Sequence, residues 1–251
     1  MSYAPPTEPL HVVDVLVEGF RLLWAGIRLL YVPAFLLALI VGAISPIEIP
    51  SREPVESLDF DRVYWFRFAA SLIVGFYMYA VITAIVHYVA SGAPEGVPSP
   101  LFIATRRFPT ILAVNLMYML AVFAGTLLLI VPGIFLFVAL YFSPLLPITE
   151  GRGPTDSIRG SLSLIKGHWG RTFAVAVITI GVGYMAGVGS EKAALFLADQ
   201  FEGDFLSDTI MMLTYAAFDA IIFAVSVCVT YGLYQDLRLR QTPDRDLRPT
   251  D

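Results

Sequence analysis

Cysteine is nearly absent. Cys228 is the single one among 251 residues, so no disulfide can close within the chain and a stapled secreted module is excluded. Charge is scarce as well: Asp, Glu, Lys and Arg make up 15% of the sequence against 57% apolar residues, where a soluble domain carries about 25% charged residues. The balance is acidic, −5 at pH 7, which offers phosphates no basic face and excludes nucleic acid as a partner. Histidine is rare, and His11, His87 and His168 are far apart in sequence. No Gly-x-Ser-x-Gly elbow, His-Glu-x-x-His pair, Walker loop or Cys-x-x-Cys occurs; the reading is therefore non-enzymatic, with no cofactor and no metal. A basic n-region is missing too, since no Lys or Arg precedes Arg21, and the N-terminus is expected to stay on the mature protein.

What the chain does contain is apolar sequence in long runs. From Phe108 to Thr149, 42 consecutive residues include no Asp, Glu, Lys, Arg or His. The fold class expected is an all-α integral membrane protein, a single membrane domain over 1–251 with six transmembrane helices and two or three interfacial amphipathic helices. The spans are placed at about 29–45, 63–90, 109–131, 132–149, 171–189 and 209–234. At about 1.5 Å per residue the uncharged run would reach roughly 63 Å, twice the ~30 Å hydrocarbon core. It must fold back, and Pro132-Gly133 near its midpoint is read as the turn of a helical hairpin.

Residues 9–28 space their less apolar positions (His11, Asp14, Glu18, Arg21, Ala25, Arg28) at intervals of 3 and 4, one narrow stripe on a helix. Opposite it lie Val12, Val13, Leu16, Phe20, Leu23, Trp24 and Ile27. Because an apolar span follows directly, the segment is read as an interfacial helix, with a bend at Pro33. A second interfacial helix is read over 154–170, with Ile158, Leu162, Ile165 and Trp169 on one face. Its cations Arg159, Lys166 and Arg171, with Trp169, are candidate lipid-headgroup contacts. Short amphipathic or basic segments precede pairs of spans at 9–28, 98–108 and 154–170. Setting Asp14 against Asp156 brings Leu16 over Ile158 and Phe20 over Leu162; a threefold internal repeat and a chance match of apolar residues both fit.

Lys and Arg count twelve on the side of the N-terminal segment, 91–108, 150–171 and the 236–251 tail, against four on the other. The positive-inside rule then puts both termini in the cytoplasm of a bacterial inner membrane protein. Within the spans, Asp219 and Asn115 are the candidate polar site. Asp219 near mid-membrane costs about 2.5–3.5 kcal/mol if charged, and reads either as a proton or substrate site or as a neutral acid hydrogen-bonded to a neighbouring helix. Asn115 reads as helix–helix glue, and Gly183 and Gly187 as a GxxxG pair for close packing within the chain or in a homo-oligomer.

The most specific pattern is Leu128, Pro132-Gly133, Pro144, Pro147, Glu150, Gly153-Pro154, Ser161, Leu164, Lys166-Gly167, Trp169 and Arg171. The last span closes on Tyr231, Tyr234, Asp236-Leu237-Arg238 and Arg240, and the first helix opens on Glu18-Gly19-Phe20-Arg21-Leu22. Together these resemble the membrane-domain family found beside some bacterial glycerophosphodiester phosphodiesterases, and as stand-alone inner-membrane proteins of unknown role. The chain departs from that pattern at Asp156 and Leu162 and lacks the catalytic barrel, so the resemblance implies no phosphodiesterase activity. The function expected is organisation or binding of membrane lipids or a membrane protein partner; the alternative is a transporter for a small or lipid-like molecule that uses Asp219.

Overall fold

Once water is removed, a backbone satisfies its own hydrogen bonds most simply as a helix. In the computed structural model, which describes residues 3–45, 62–92, 98–201 and 204–241, every regular element is helical. In chain order these are α1 Val12–Ile44, α2 Arg62–Ala90, α3 Pro100–Leu128, α4 Ile130–Ala139, α5 Leu146–Thr149, α6 Pro154–Ile165, α7 Trp169–Ala198 and α8 Asp204–Gln241. Five of them, α1, α2, α3, α7 and α8, are long and apolar enough to cross a membrane. Of the acidic segment 46–62, expected to be a loop, residues 46–61 lie outside the described residues, as do those from 242 onward.

Six spans were expected, and the fourth is not a spanning helix. α4 has 10 residues, about half of what a ~30 Å core requires. The hairpin turns at Leu129, whose φ of −165° and ψ of 148° leave the helix, and not at Pro132-Gly133. Pro132 instead falls in the first turn of α4, where helix N–H groups have no partner to lose. Gly133 serves close packing: a Cβ there would lie 2.9 Å from Thr126 Cα. After Ala139 the chain runs through buried turns containing Phe142, Ser143 and Leu145 before α5 begins. The break is satisfied from outside, since Ser161 Oγ accepts from the Phe142 N–H at 3.2 Å and donates to the Ala139 carbonyl at 3.0 Å.

Neither interfacial helix has the expected form. Residues 12–44 are one helix through Pro33, and the buried side of its first half is Val15, Glu18, Gly19, Leu22, Leu23 and Gly26. That side packs antiparallel on α8: a Cβ at Gly19 would meet Val229 Cγ2 at 2.6 Å and Val229 Cα at 2.8 Å. Val13, Phe20 and Trp24, assigned to the apolar face, point outward. The segment 154–170 ends as a helix at Ile165, because Gly167 takes φ +83°, a left-handed turn that glycine adopts without steric cost. Trp169 then starts α7. The buried side of α6 is Ser157, Gly160, Ser161, Leu164 and Ile165, and Leu162 is exposed. The three segments aligned as a repeat thus take different forms, with 154–165 alone a separate helix and 98–108 running into α3.

The core is tight at one end. Leu22 and Leu30 of α1, Ala80, Ile82 and Val86 of α2, Ile111 of α3 and Ala224, Val227, Cys228 and Tyr231 of α8 belong to the main buried cluster. At the opposite end a small cluster of Ala194, Ala198 and Met211 joins α7 to α8. The first half of α2 there exposes Val63, Trp65 and Phe66.

Candidate functional site

The tight end of the bundle carries a buried polar layer. At its centre Asp236, fully buried, receives three groups. Arg240 Nε lies 3.2 and 3.1 Å from its two carboxylate oxygens, and Leu10 donates its backbone N–H at 2.7 Å. Arg171 Nε stands 2.9 Å away without hydrogen-bond alignment, so that contact is an ion pair. The Leu10 carbonyl then accepts from both Arg171 and Arg240. One residue of the N-terminal segment is thereby fastened through both of its backbone groups to the start of α7 and the end of α8. A buried carboxylate needs this degree of compensation.

Glu150, after α5, makes a second knot. It accepts from Arg152 Nε at 2.6 Å and Tyr234 OH at 2.7 Å, and it pairs with Arg238. Arg107 of α3 donates to the neighbouring Gly151 carbonyl at 3.1 Å. His87 and Tyr231 share a hydrogen bond of 3.0 Å beside this knot. On the other flank, Glu18 is 5% exposed and pairs with Arg21 at 3.4 Å. Tyr3 donates to Gln235 at 2.9 Å; burial first, and the neighbouring Glu18 second, push its phenol up, so it stays a neutral donor.

Two cavities flank this layer. One of about 600 Å³ lies between the N-terminal segment and α1, lined by Tyr3, Glu18, Phe20, Arg21, Leu23 and Trp24. The other, about 260 Å³, is an apolar groove between α1, α7 and α8, lined among others by Leu16, Phe20, Val182, Gly183, Ile222 and Val225. Exposed Phe20 and Val182 mark its outer rim.

The residues singled out in the sequence fall apart into three groups. Asp219 faces outward on α8, away from the polar layer. Asn115 is buried, but its side-chain amide donates to Ile111 of its own helix at 2.9 Å; the expected bond to a neighbouring helix is replaced by a local one. Of the candidate headgroup contacts, Arg159 and Lys166 are exposed, while Arg171 is committed to Asp236 and Leu10. Trp169 stacks between Phe173 (5.2 Å) and Phe135 (6.1 Å), with no hydrogen-bond partner for its buried Nε1. Gly187 has open space where a Cβ would stand, and Gly183 has ordinary contact with Ile222 at 3.6 Å, so the GxxxG pair mediates no close packing between the described helices.

The acidic centres Asp236 and Glu150 were not among the candidate site residues. Their signal was present, as both stand in the patterns 128–171 and 231–240, and the fold brings those patterns together. The tail assigned to 236–251 in fact begins as α8, which runs to Gln241.

Five long apolar helices with an apolar exterior, closed at one end by buried ion pairs, define a helical membrane protein. The chain belongs to the family described as Domain of unknown function (DUF7847), whose model matches residues 52–237. No curated protein and no solved structure matches it.

Proposed function

We propose that this protein binds and organises membrane lipid, without chemistry of its own, in a bacterial inner membrane with both termini cytoplasmic. The observation that carries the reading is the apolar groove between α1, α7 and α8. Its walls belong to three helices long enough to span, and its rim is open on the side those helices turn to the bilayer. Such a groove gives a lipid chain an apolar bed at a defined position. The Asp236 and Glu150 carboxylates of the polar layer are occupied with arginines, which supports a structural rather than a catalytic use of them.

Gly183 is the test position, because it lines the groove with room for a side chain. Gly183→Leu is expected to lower co-purified phospholipid, measured by native mass spectrometry, by about tenfold, equivalent to ~1.4 kcal/mol. Unchanged lipid retention in a folded variant overturns the reading. Transport is the second reading, favoured by the broken segment 130–149, since interrupted membrane helices are where transporters build sites. Asp219, outward-facing on α8 and apart from that segment, is the acid to test: Asp219→Asn is expected to abolish any pH-dependent flux in proteoliposomes, and flux that survives removes Asp219 from the mechanism.

A further inference from the structure

The lipid reading leaves open which lipid, and the cavity beside the groove addresses that. Glu18 is 5% exposed, yet its compensation differs sharply from that of Asp236. Asp236 takes two guanidinium groups and a backbone N–H. Glu18 has Arg21 at 3.4 Å, and the Arg21 side chain is 72% exposed, so solvent dilutes that attraction. A carboxylate accepts at about four lone-pair sites; Arg21 takes one, the Tyr3 hydrogen goes to Gln235, and Glu18 lines the cavity with acceptor capacity left over. The remaining walls include Phe20 and Trp24, whose exposed rings attract a cation. Arg21 at the mouth matches an anion. The cavity therefore sets a cation site and an anion site next to each other, in an aromatic frame at the edge of the bilayer.

Resting on the lipid-binding reading, we infer that this cavity holds the headgroup of a phospholipid with a primary amine. The ammonium is received by Glu18 and the phosphate by Arg21. Phe20 lines both the cavity and the apolar groove, so the headgroup and one chain of a single molecule fit the two spaces together. That continuity selects a bilayer lipid over a free amine. A primary ammonium donates three hydrogen bonds to the acid, which a quaternary ammonium cannot do, and a glycerol headgroup brings no positive charge.

The whole protein is incubated in detergent with an equimolar mixture of phosphatidylethanolamine, phosphatidylcholine and phosphatidylglycerol, and bound lipids are read by native mass spectrometry. Phosphatidylethanolamine is expected to exceed each of the others by about tenfold. Glu18→Gln, which keeps the shape, brings that ratio close to one through loss of bound phosphatidylethanolamine. Arg21→Ala lowers retention of all three, and as an exposed position it remains informative if the Glu18 variant fails to fold. Lipid bound with no preference, or a preference that survives Glu18→Gln, overturns the headgroup assignment and leaves the lipid reading standing. Retention unchanged in Arg21→Ala overturns the phosphate assignment. No lipid of any kind bound to the native protein overturns the lipid reading itself.

Discussion

At the residue scale, removing the buried Asp236 carboxylate strands two guanidinium groups, Arg171 and Arg240, and frees the Leu10 N–H. Breaking a buried pair from one side costs about 3–5 kcal/mol. Asp236→Ala is therefore expected to lower the stability of the detergent-solubilised protein by that amount in an unfolding titration. A loss under about 1 kcal/mol would mean that water reaches the cluster. Gly19→Ala is a second case, because the added Cβ would meet the backbone of Val229. Prying α1 from α8 in this way costs about 1–3 kcal/mol, checked by the same titration, whereas Gly187→Ala, with open space, is expected to be neutral. Sequence could nominate Asp236 and Glu150 as motif members but could not tell them from an exposed acid. What encloses Asp236 is the meeting of positions 10, 171 and 240, and Glu150 meets 234 and 238 across the fold; such pairings are not written in local spacing. Asn115 shows the same limit from the other side: a polar residue in a span signals a bond, without saying to which helix.

At the scale of elements, hydropathy located the apolar segments well because every spanning backbone must be sheathed in apolar side chains over a fixed length. It overran where a segment is apolar for another reason. Residues 140–145 are apolar because protein covers them, and the same composition reads as a span. Ser161 carries the consequence. Ser161→Ala removes the partner of the Phe142 N–H and the Ala139 carbonyl, and a buried unsatisfied group costs about 1–3 kcal/mol. Hydrogen exchange at residues 139–146 is expected to rise in that variant ahead of the rest of the protein; uniform exchange would show that the break holds without the serine. The hairpin supplies a positional test. A short hydrophilic tag after Leu129, at the turn, is expected to be tolerated, whereas one between Pro132 and Gly133 interrupts α4 where it lies against Thr126. Equal expression and monodispersity of the two insertions would contradict the placement of the turn. α1 continues through Pro33, since it spends its length against α8 and α2 and packing there outweighs the one hydrogen bond a proline forfeits.

For the whole molecule, the twelve-to-four excess of Lys and Arg predicts sidedness independently of any coordinate. A phosphatase fused after Arg245 is expected to be inactive and one inserted near Glu56 active; the reverse pattern inverts the protein. The polar layer then bears on biogenesis. Leu10 leaves the ribosome early, yet its N–H is paired with a residue 226 positions later and its carbonyl with one 230 positions later. The Leu10 carbonyl finds Arg171 of α7 first, 161 positions on, and gains its α8 partners only once that helix is in place; contacts of such separation form slowly. A chain cut short before Asp236 keeps the Arg171 contact but loses the carboxylate and the Arg240 guanidinium that hold Leu10 on α8. The ion-pair knot is thus a clasp between the segment before α1 and the end of α8, and a chain cut before Asp236 is expected to be cleaved ahead of α1 by added protease sooner than the uncut chain.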